Sequence, residues 1–284
     1  MKLGIIIPLI EDELDGFYSI INKVQLNLEL ALIDNYHIIV VFQSKNNILL
    51  PLIKNVTFVI TTFYSVSNAR NIGLDKFQNN CDYIYLLDQD ALPSVDFLIQ
   101  SKTNMKLKTS IWSGKINWTG LTENKKNFSN NNIKKMNIFF FPRKTFLGCY
   151  FFKSDSINKT RFNLNLGPGE NTKLKGGEDL LFLADFCSRN NINNFKYYPN
   201  LYIDHPKRPS NNQKELLYLE SQIAVSKHLV YNKQMLFEMR FGAFIYLLLF
   251  LANGFVKVLK MQKNSLIIFK RRLFYMFKKY NINV

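Results

Sequence analysis

The chain opens on an unbroken apolar run, Leu3–Ile7, stopped by Pro8. Comparable runs recur at His37–Phe42, Val56–Thr62 and Tyr83–Leu87. Their length and their β-branched and aromatic content predict strands. Between them, residues 15–33 repeat apolar side chains at helical spacing (Phe17, Ile20, Ile21, Val24, Leu28). Ser67–Phe77 also reads as a helix, with Ser67 as its N-cap. Short apolar strands alternating with helices predict an open, mostly parallel α/β sheet. Ligands in such sheets bind beyond the carboxyl ends of the strands, where Pro8, Gln43 and Asp88 gather.

The pattern changes after residue 110. Ile111–Trp118, Ile138–Pro142, Thr145–Lys153 and Tyr197–Ile203 read as further strands, with a polar Asn/Lys-rich insert at 122–135. Asn165-Leu166-Gly167-Pro168-Gly169 is a loop by composition. Gly176-Gly177-Glu178-Asp179 opens a helix running to about Asn190, with its acids in the first turn, where the macrodipole favours them. Asp204-His205-Pro206 through Pro209 closes the compact part, which predicts one domain over 1–209 and a helical region over 210–284. Asn212–Tyr231 is the first of those helices. Phe241–Val256 carries no charge but falls just short of the roughly 20 apolar residues that cross a bilayer. In the last segment Leu266, Phe269, Leu273, Met276, Phe277 and Tyr280 form one stripe. Lys263, Lys270, Arg271, Lys278 and Lys279 fall opposite, the pattern of a helix lying in a membrane interface.

Charge sharpens this picture. Lys and Arg number 37 against 21 Asp and Glu, a net charge of +16. The excess is concentrated in residues 256–284, which carry Lys257, Lys260, Lys263, Lys270, Arg271, Arg272, Lys278 and Lys279 and no acid. Such a tail suits an anionic surface. Its Phe and Leu content favours lipid, so an anionic membrane is the expected partner and nucleic acid is not. Cys81, Cys149 and Cys187 have no paired spacing, which argues against a disulfide framework or a zinc site and for reduced, mostly buried thiols. The N-terminal apolar run is too short for a signal peptide. The expected location is cytoplasmic, peripheral on the inner face of the cell membrane.

Candidate chemistry centres on Ile84-Tyr85-Leu86-Leu87-Asp88-Gln89-Asp90. Strand alternation would point Asp88 and Asp90 the same way at the strand end. Two hard carboxylates there can hold Mn²⁺ or Mg²⁺, and the cation a diphosphate. His205 is a candidate third ligand, from a Pro-bounded loop after a strand, and would tilt the preference toward Mn²⁺. Glu178 and Asp179 are candidate bases for an attacking hydroxyl. Trp112, Trp118 and Gly148-Cys149-Tyr150 are expected in packed positions rather than against a sugar.

Strand–Pro8, Ser67-Asn68-Ala69-Arg70-Asn71-Ile72-Gly73, Leu87-Asp88-Gln89-Asp90, Gly176-Gly177-Glu178-Asp179 and the late His205 together resemble the inverting family 2 glycosyltransferases of the GT-A fold, over roughly residues 1–208. The resemblance implies a Rossmann-like, mostly parallel sheet with a smaller mixed sheet. It also implies a metal-dependent hexosyl- or hexosaminyltransferase. It would move a sugar from a nucleotide-diphosphate donor to a hydroxyl on a lipid-linked or surface glycan. By this likeness Asp179 is the catalytic base and Glu178 its neighbour at the acceptor. Asp88, Asp90 and His205 bind the metal; Pro8, Glu11, Gln43, Arg70, Asp88 and Gln89 line the nucleotide-sugar. Residues 165–179 resemble the family's mobile loop. Gln43 stands where the family usually has Asp, so uridine is not implied as firmly as the sugar chemistry. The alternatives are a nucleotidyltransferase, disfavoured by the acidic stretch after the first strand, and a non-catalytic nucleic-acid binder using the basic tail.

Overall fold

A computed structural model describes residues 1–78, 80–119, 134–137, 147–157, 159–206, 212–260, 265–280 and 282. Contacts divide the chain into two units. The first comprises Met1–Met136, Phe146–Arg161 and Phe195–Arg208; the second comprises Asn137–Thr145, Phe162–Asn194 and Pro209–Val284.

The first unit is built on β1 (Leu3–Ile10), β2 (Tyr36–Gln43), β3 (Val56–Thr61) and β4 (Tyr83–Leu86), which run parallel in the order β3-β2-β1-β4. β8 (Tyr150–Lys153) joins β4 antiparallel. It is followed by β6 (Ile111–Thr119), β9 (Asn194–Pro206) and the short β5 (Leu92–Pro93). The parallel and mixed strands thus form one continuous sheet, with β7 (Lys134–Asn137) off its main path. β1 is buried along almost its whole length, as expected of a central strand covered on both faces. Trp112, Tyr85 and Phe151 stack in the core beside it, and the Trp112 indole N–H donates to Ser101 Oγ at 2.9 Å.

Three sequence expectations are corrected here. β1 continues through Pro8 to Ile10. Leu87 N–H donates to the Ile6 carbonyl, so even-numbered positions of β1 face β4. β4 has ended at Leu86, and no donor is needed where the Pro8 ring lies. The helix after β3, α2 (Val66–Phe77), is capped by Ser65 rather than Ser67; the Ser65 hydroxyl accepts from Asn68 N–H. Trp118 is 42% exposed and not a core residue. Gly148, Cys149 and Tyr150 are packed as expected, but Leu147–Cys149 form a 3-10 turn and the expected strand starts only at Tyr150; Cys149 and Cys187 are buried and Cys81 is half-buried. After Asp90 the chain adds α3 (Val95–Lys106), capped by Ser94, a helix not expected from the sequence pattern. The expected strand Ile138–Pro142, the insert 122–135 (apart from 134–135) and the Lys207–Pro209 closure lie outside the described residues.

In the second unit α5 (Glu178–Arg189) matches the expected helix closely, and α6 (Asn212–Tyr231) coincides with it. α7 (Phe237–Leu259) is longer than the charge-free stretch suggested, because Glu238, Arg240 and Lys257 are accommodated within it. α8 (Ser265–Phe277) follows.

Candidate active site

The Asp-Gln-Asp motif does not converge by strand alternation. β4 ends before it, and the two acids lie in a turn closed by Ala91 N–H donating to the Asp88 carbonyl. Gln89 points the other way, and its Oε1 accepts from Ile10 N–H at the end of β1. Just past the turn, β5 pairs with β9 through Leu92 and Asp204, which carries the acids to His205. His205 is not in a loop. It sits within β9, opposite Trp118 of β6, because partner strands extend the ladder through Pro206.

His205 Nε2 lies 3.2 Å from Asp90 Oδ1 and 3.7 Å from Asp88 Oδ2. Its Nδ1 is 2.8 Å from the Pro206 carbonyl, which can only accept, so Nδ1 carries a proton. In the neutral ring the Nε2 lone pair then faces two carboxylates. Burial depresses the imidazole pKa, but Asp88 and Asp90 outweigh it and the net shift is upward. The same arrangement suits a hard divalent cation: two carboxylates and an imidazole nitrogen turned toward them. The two carboxylates meet only through His205, and among the described residues no group of three or more His, Cys, Asp or Glu is arranged to hold a metal ion.

Arg70 lies beneath this cluster. It is 3% exposed, and its Nη2 donates to Asp88 Oδ1 at 2.7 Å. The reason is local. Ala69, Arg70 and Gly73 share the buried face of α2, and a side chain at Gly73 would collide with Ile6 of β1. Glycine lets the helix approach the strand, and Arg70, one turn earlier, reaches under Asp88. Burial raises the Asp88 carboxyl, but the Arg70 guanidinium and His205 overcome it and hold it at about 2. Replacing Arg70 with Met should therefore destabilise the fold by about 2–3 kcal/mol, less than a fully buried pair because Asp88 keeps some solvent. Urea unfolding of the variant at neutral pH reads this directly; a change under about 0.5 kcal/mol would mean the pair is not under strain when broken.

The other nucleotide candidates are placed as follows. Pro8 is buried in β1. Gln43, at the end of β2, is 1% exposed, and its Oε1 accepts from Ser65 N–H at 2.6 Å. Glu11 follows β1; its carboxylate accepts from Asn46 Nδ2 and from Ser44 Oγ, which lowers its pKa. Trp118, expected in the core, instead packs its ring edge-on at 5.1 Å from His205 while staying exposed. Its register opposite His205 was invisible without knowing which strands pair.

Glu178 and Asp179 belong to the second unit. They form the half-buried first turn of α5. The turn before them needs glycine at 177, where φ is +84° and an added Cβ would lie 2.7 Å from Val225 Cγ2 of α6. The loop ahead of it is closed on itself: Leu174 N–H donates to Asn165 O, and Gly167 N–H to Leu174 O. Lys175 Nζ reaches the Gly169 carbonyl at 2.6 Å. Gly177→Ala is expected to cost about 1–3 kcal/mol through the left-handed backbone and the Val225 contact. Adding Val225→Ala should recover the contact portion only; full recovery in thermal melts would show that the backbone is unstrained.

No protein-family model and no curated protein matches the chain. Solved structures do. Residues 1–349 of S. aureus TarS in complex with UDP superpose with a TM-score of 0.56 at 13% identity, covering 82% of this chain and 67% of that one. The same protein with UDP-GlcNAc gives 0.54 at 13% identity, covering 82% and 68%. GalNAc-T7 with UDP, GalNAc and Mn²⁺ gives 0.53 at 12% identity, covering 82% of this chain and 49% of that one. The chain has the GT-A glycosyltransferase fold. Within that fold, Asp88, Asp90 and His205 meet just past the end of β4, outside the carboxyl ends of the parallel strands, where open α/β sheets bind ligands.

Proposed function

We propose that the protein is an inverting, metal-dependent glycosyltransferase. It takes a hexosyl or hexosaminyl group from a nucleotide-diphosphate sugar and delivers it to a hydroxyl of a lipid-linked or surface glycan. The observation that carries the reading is the meeting of Asp88, Asp90 and His205 in a GT-A fold. Asp88, Asp90 and His205 would hold Mn²⁺ or Mg²⁺, which when bound neutralises charge on the departing diphosphate.

The chain's own groups perform the rest. Asp179 accepts the proton of the acceptor hydroxyl, with Glu178 beside it orienting the acceptor. The acceptor oxygen attacks the anomeric carbon from the face opposite the diphosphate. The bond from that carbon to the diphosphate oxygen breaks, its electron pair stays on the diphosphate, and configuration inverts. Arg70 keeps Asp88 ionised and fixed. Pro8, Glu11, Gln43 and Gln89 frame the nucleotide, with Gln43 and Glu11 set by their bonds to Ser65, Ser44 and Asn46. TarS with UDP and UDP-GlcNAc and GalNAc-T7 with UDP support a uridine-diphosphate donor as the first to test. Residues 1–209 act as the catalytic domain. Residues 210–284 associate with the inner face of the cell membrane, where a lipid-linked acceptor resides.

The test is a thermal-shift screen of nucleotide-sugars with and without Mn²⁺, followed by product analysis. A specific donor should stabilise the protein in a metal-dependent way, and transfer should yield the anomer opposite to the donor's. Retention of configuration, or no stabilisation by any nucleotide-sugar, would overturn the reading.

A further inference from the structure

Among the described residues, the C-terminal helices carry an exposed apolar surface. On α7, Phe237, Phe241, Phe244, Leu248, Phe255 and Leu259 are all exposed, Phe237 by 72%. At 100° per residue they fall within about 60° of arc, and the stripe runs the length of the helix, about 34 Å. The other side of α7 is occupied: Met239, Gly242, Ala243, Leu247 and Gly254 are buried.

That burial is against α6 and α8. Arg240 Nε donates to the Val230 carbonyl and Tyr246 OH to Gln222 Oε1, so α6 runs antiparallel alongside α7. α8 returns along them. Arg272, only 6% exposed, donates to the Phe250 carbonyl and lies 4.0 Å over the Phe250 ring. Lys227 of α6 donates to the carbonyls of Met276 and Lys278, and Lys278 pairs with Glu220. The outward side of α8 differs from the stripe expected from sequence. Phe269, Met276 and Tyr280 are half-buried, while Leu266, Ile267, Leu273, Phe274 and Phe277 are exposed. Lys270 and Arg271 are exposed on this same side, and Lys257 and Lys260 at the end of α7.

We infer that α7 and α8 dock together in the plane of an anionic bilayer, with the α7 stripe buried at the level of the acyl boundary and α7 not crossing it. By length and composition α7 is long and apolar enough to cross, and with only 22% of its most apolar stretch buried in the protein it is open to lipid in either geometry. Crossing would carry Gln222, Glu220 and Lys227 of the attached α6 into hydrocarbon, which is strongly unfavourable. Lying flat buries the whole exposed stripe, leaves α6 in water and sets Lys257, Lys260, Lys270 and Arg271 at headgroup phosphates. This rests on the membrane-associated reading above and specifies its geometry.

The test uses the full chain carrying Cys81→Ser, with nitroxide labels placed singly at Phe237→Cys, Leu248→Cys and Leu259→Cys. On phosphatidylcholine vesicles containing phosphatidylglycerol, all three labels should report one shallow depth. Binding should weaken on phosphatidylcholine alone. The F244E/L248E variant should lose vesicle partitioning by about tenfold or more with an unchanged thermal melt. A deep Leu248 label with Phe237 and Leu259 on opposite faces would overturn the proposal in favour of a spanning helix. No vesicle binding, or a dimer in vesicle-free solution that F244E/L248E dissociates, would overturn it in favour of a protein partner. Donor-dependent stabilisation measured without vesicles reads the transferase chemistry separately, so failure of one reading is distinguishable from failure of the other.

Discussion

Asp179→Asn is expected to reduce sugar transfer by about 10²–10⁴-fold, the range for removal of a general base. The substitution keeps the size of the side chain and its place in the first turn of α5. It removes the capacity to take the acceptor proton. Donor binding should therefore persist, and so should the thermal shift with a nucleotide-sugar. The loss should appear in kcat at saturating donor and acceptor, which distinguishes it from a lost binding contact. Near-normal transfer by this variant would remove Asp179 from the chemistry and shift attention to Glu178. Glu178→Gln serves as the comparison: a residue that orients the acceptor should raise KM for acceptor more than it lowers kcat.

Asp90→Asn is expected to have the second large effect, through the metal. Asp90 approaches His205 Nε2 more closely than Asp88 does, and Asp88 is also paired with Arg70. Removing the Asp90 charge should cut transfer by about 10²-fold or more, on the scale of losing one electrostatic contact to developing charge. It should also abolish the Mn²⁺ dependence of donor-induced stabilisation. Chelation by EDTA should mimic the variant in the wild type and be reversed by added Mn²⁺. Full turnover in EDTA would mean that His205 and Arg70 alone balance the diphosphate. His205→Ala divides the two cases, since a ligand role predicts weaker metal affinity with little change at saturating metal.

How much of this was legible in the chain follows from the range of each interaction. The apolar runs at β1, β2, β3 and β4 needed only local periodicity, and their positions agree with the structure to within a few residues. The helix over 178–189 and the one over 212–231 were equally readable, since capping and periodicity act within a few turns. The residue types of the candidate site were visible too: acids two apart, a glycine one turn after an arginine, a lone late histidine. Their mutual arrangement was not. Asp88 and Asp90 converge because a turn closes at Ala91, whereas alternation along a strand was the expectation. By resemblance Arg70 was expected to line the nucleotide-sugar. It is buried under Asp88 because Gly73 lets α2 press on β1, a contact between residues far apart in the chain.

The C-terminal helices make the same division. Composition alone identified a basic, apolar tail suited to an anionic membrane. Which side of each helix faces outward depended on where Arg272, Lys227 and Tyr246 find partners on neighbouring helices. The sequence by itself determined most of the element order and the chemical inventory, because periodicity, capping and charge are local, and its motifs in combination resembled the GT-A class. Tertiary structure alone decided that β9 extends to carry His205 to the acids, that Trp118 is exposed beside it, and that the apolar stripe of α7 is left uncovered. Each of these depends on which distant strand or helix pairs with which, and no local pattern encodes that pairing.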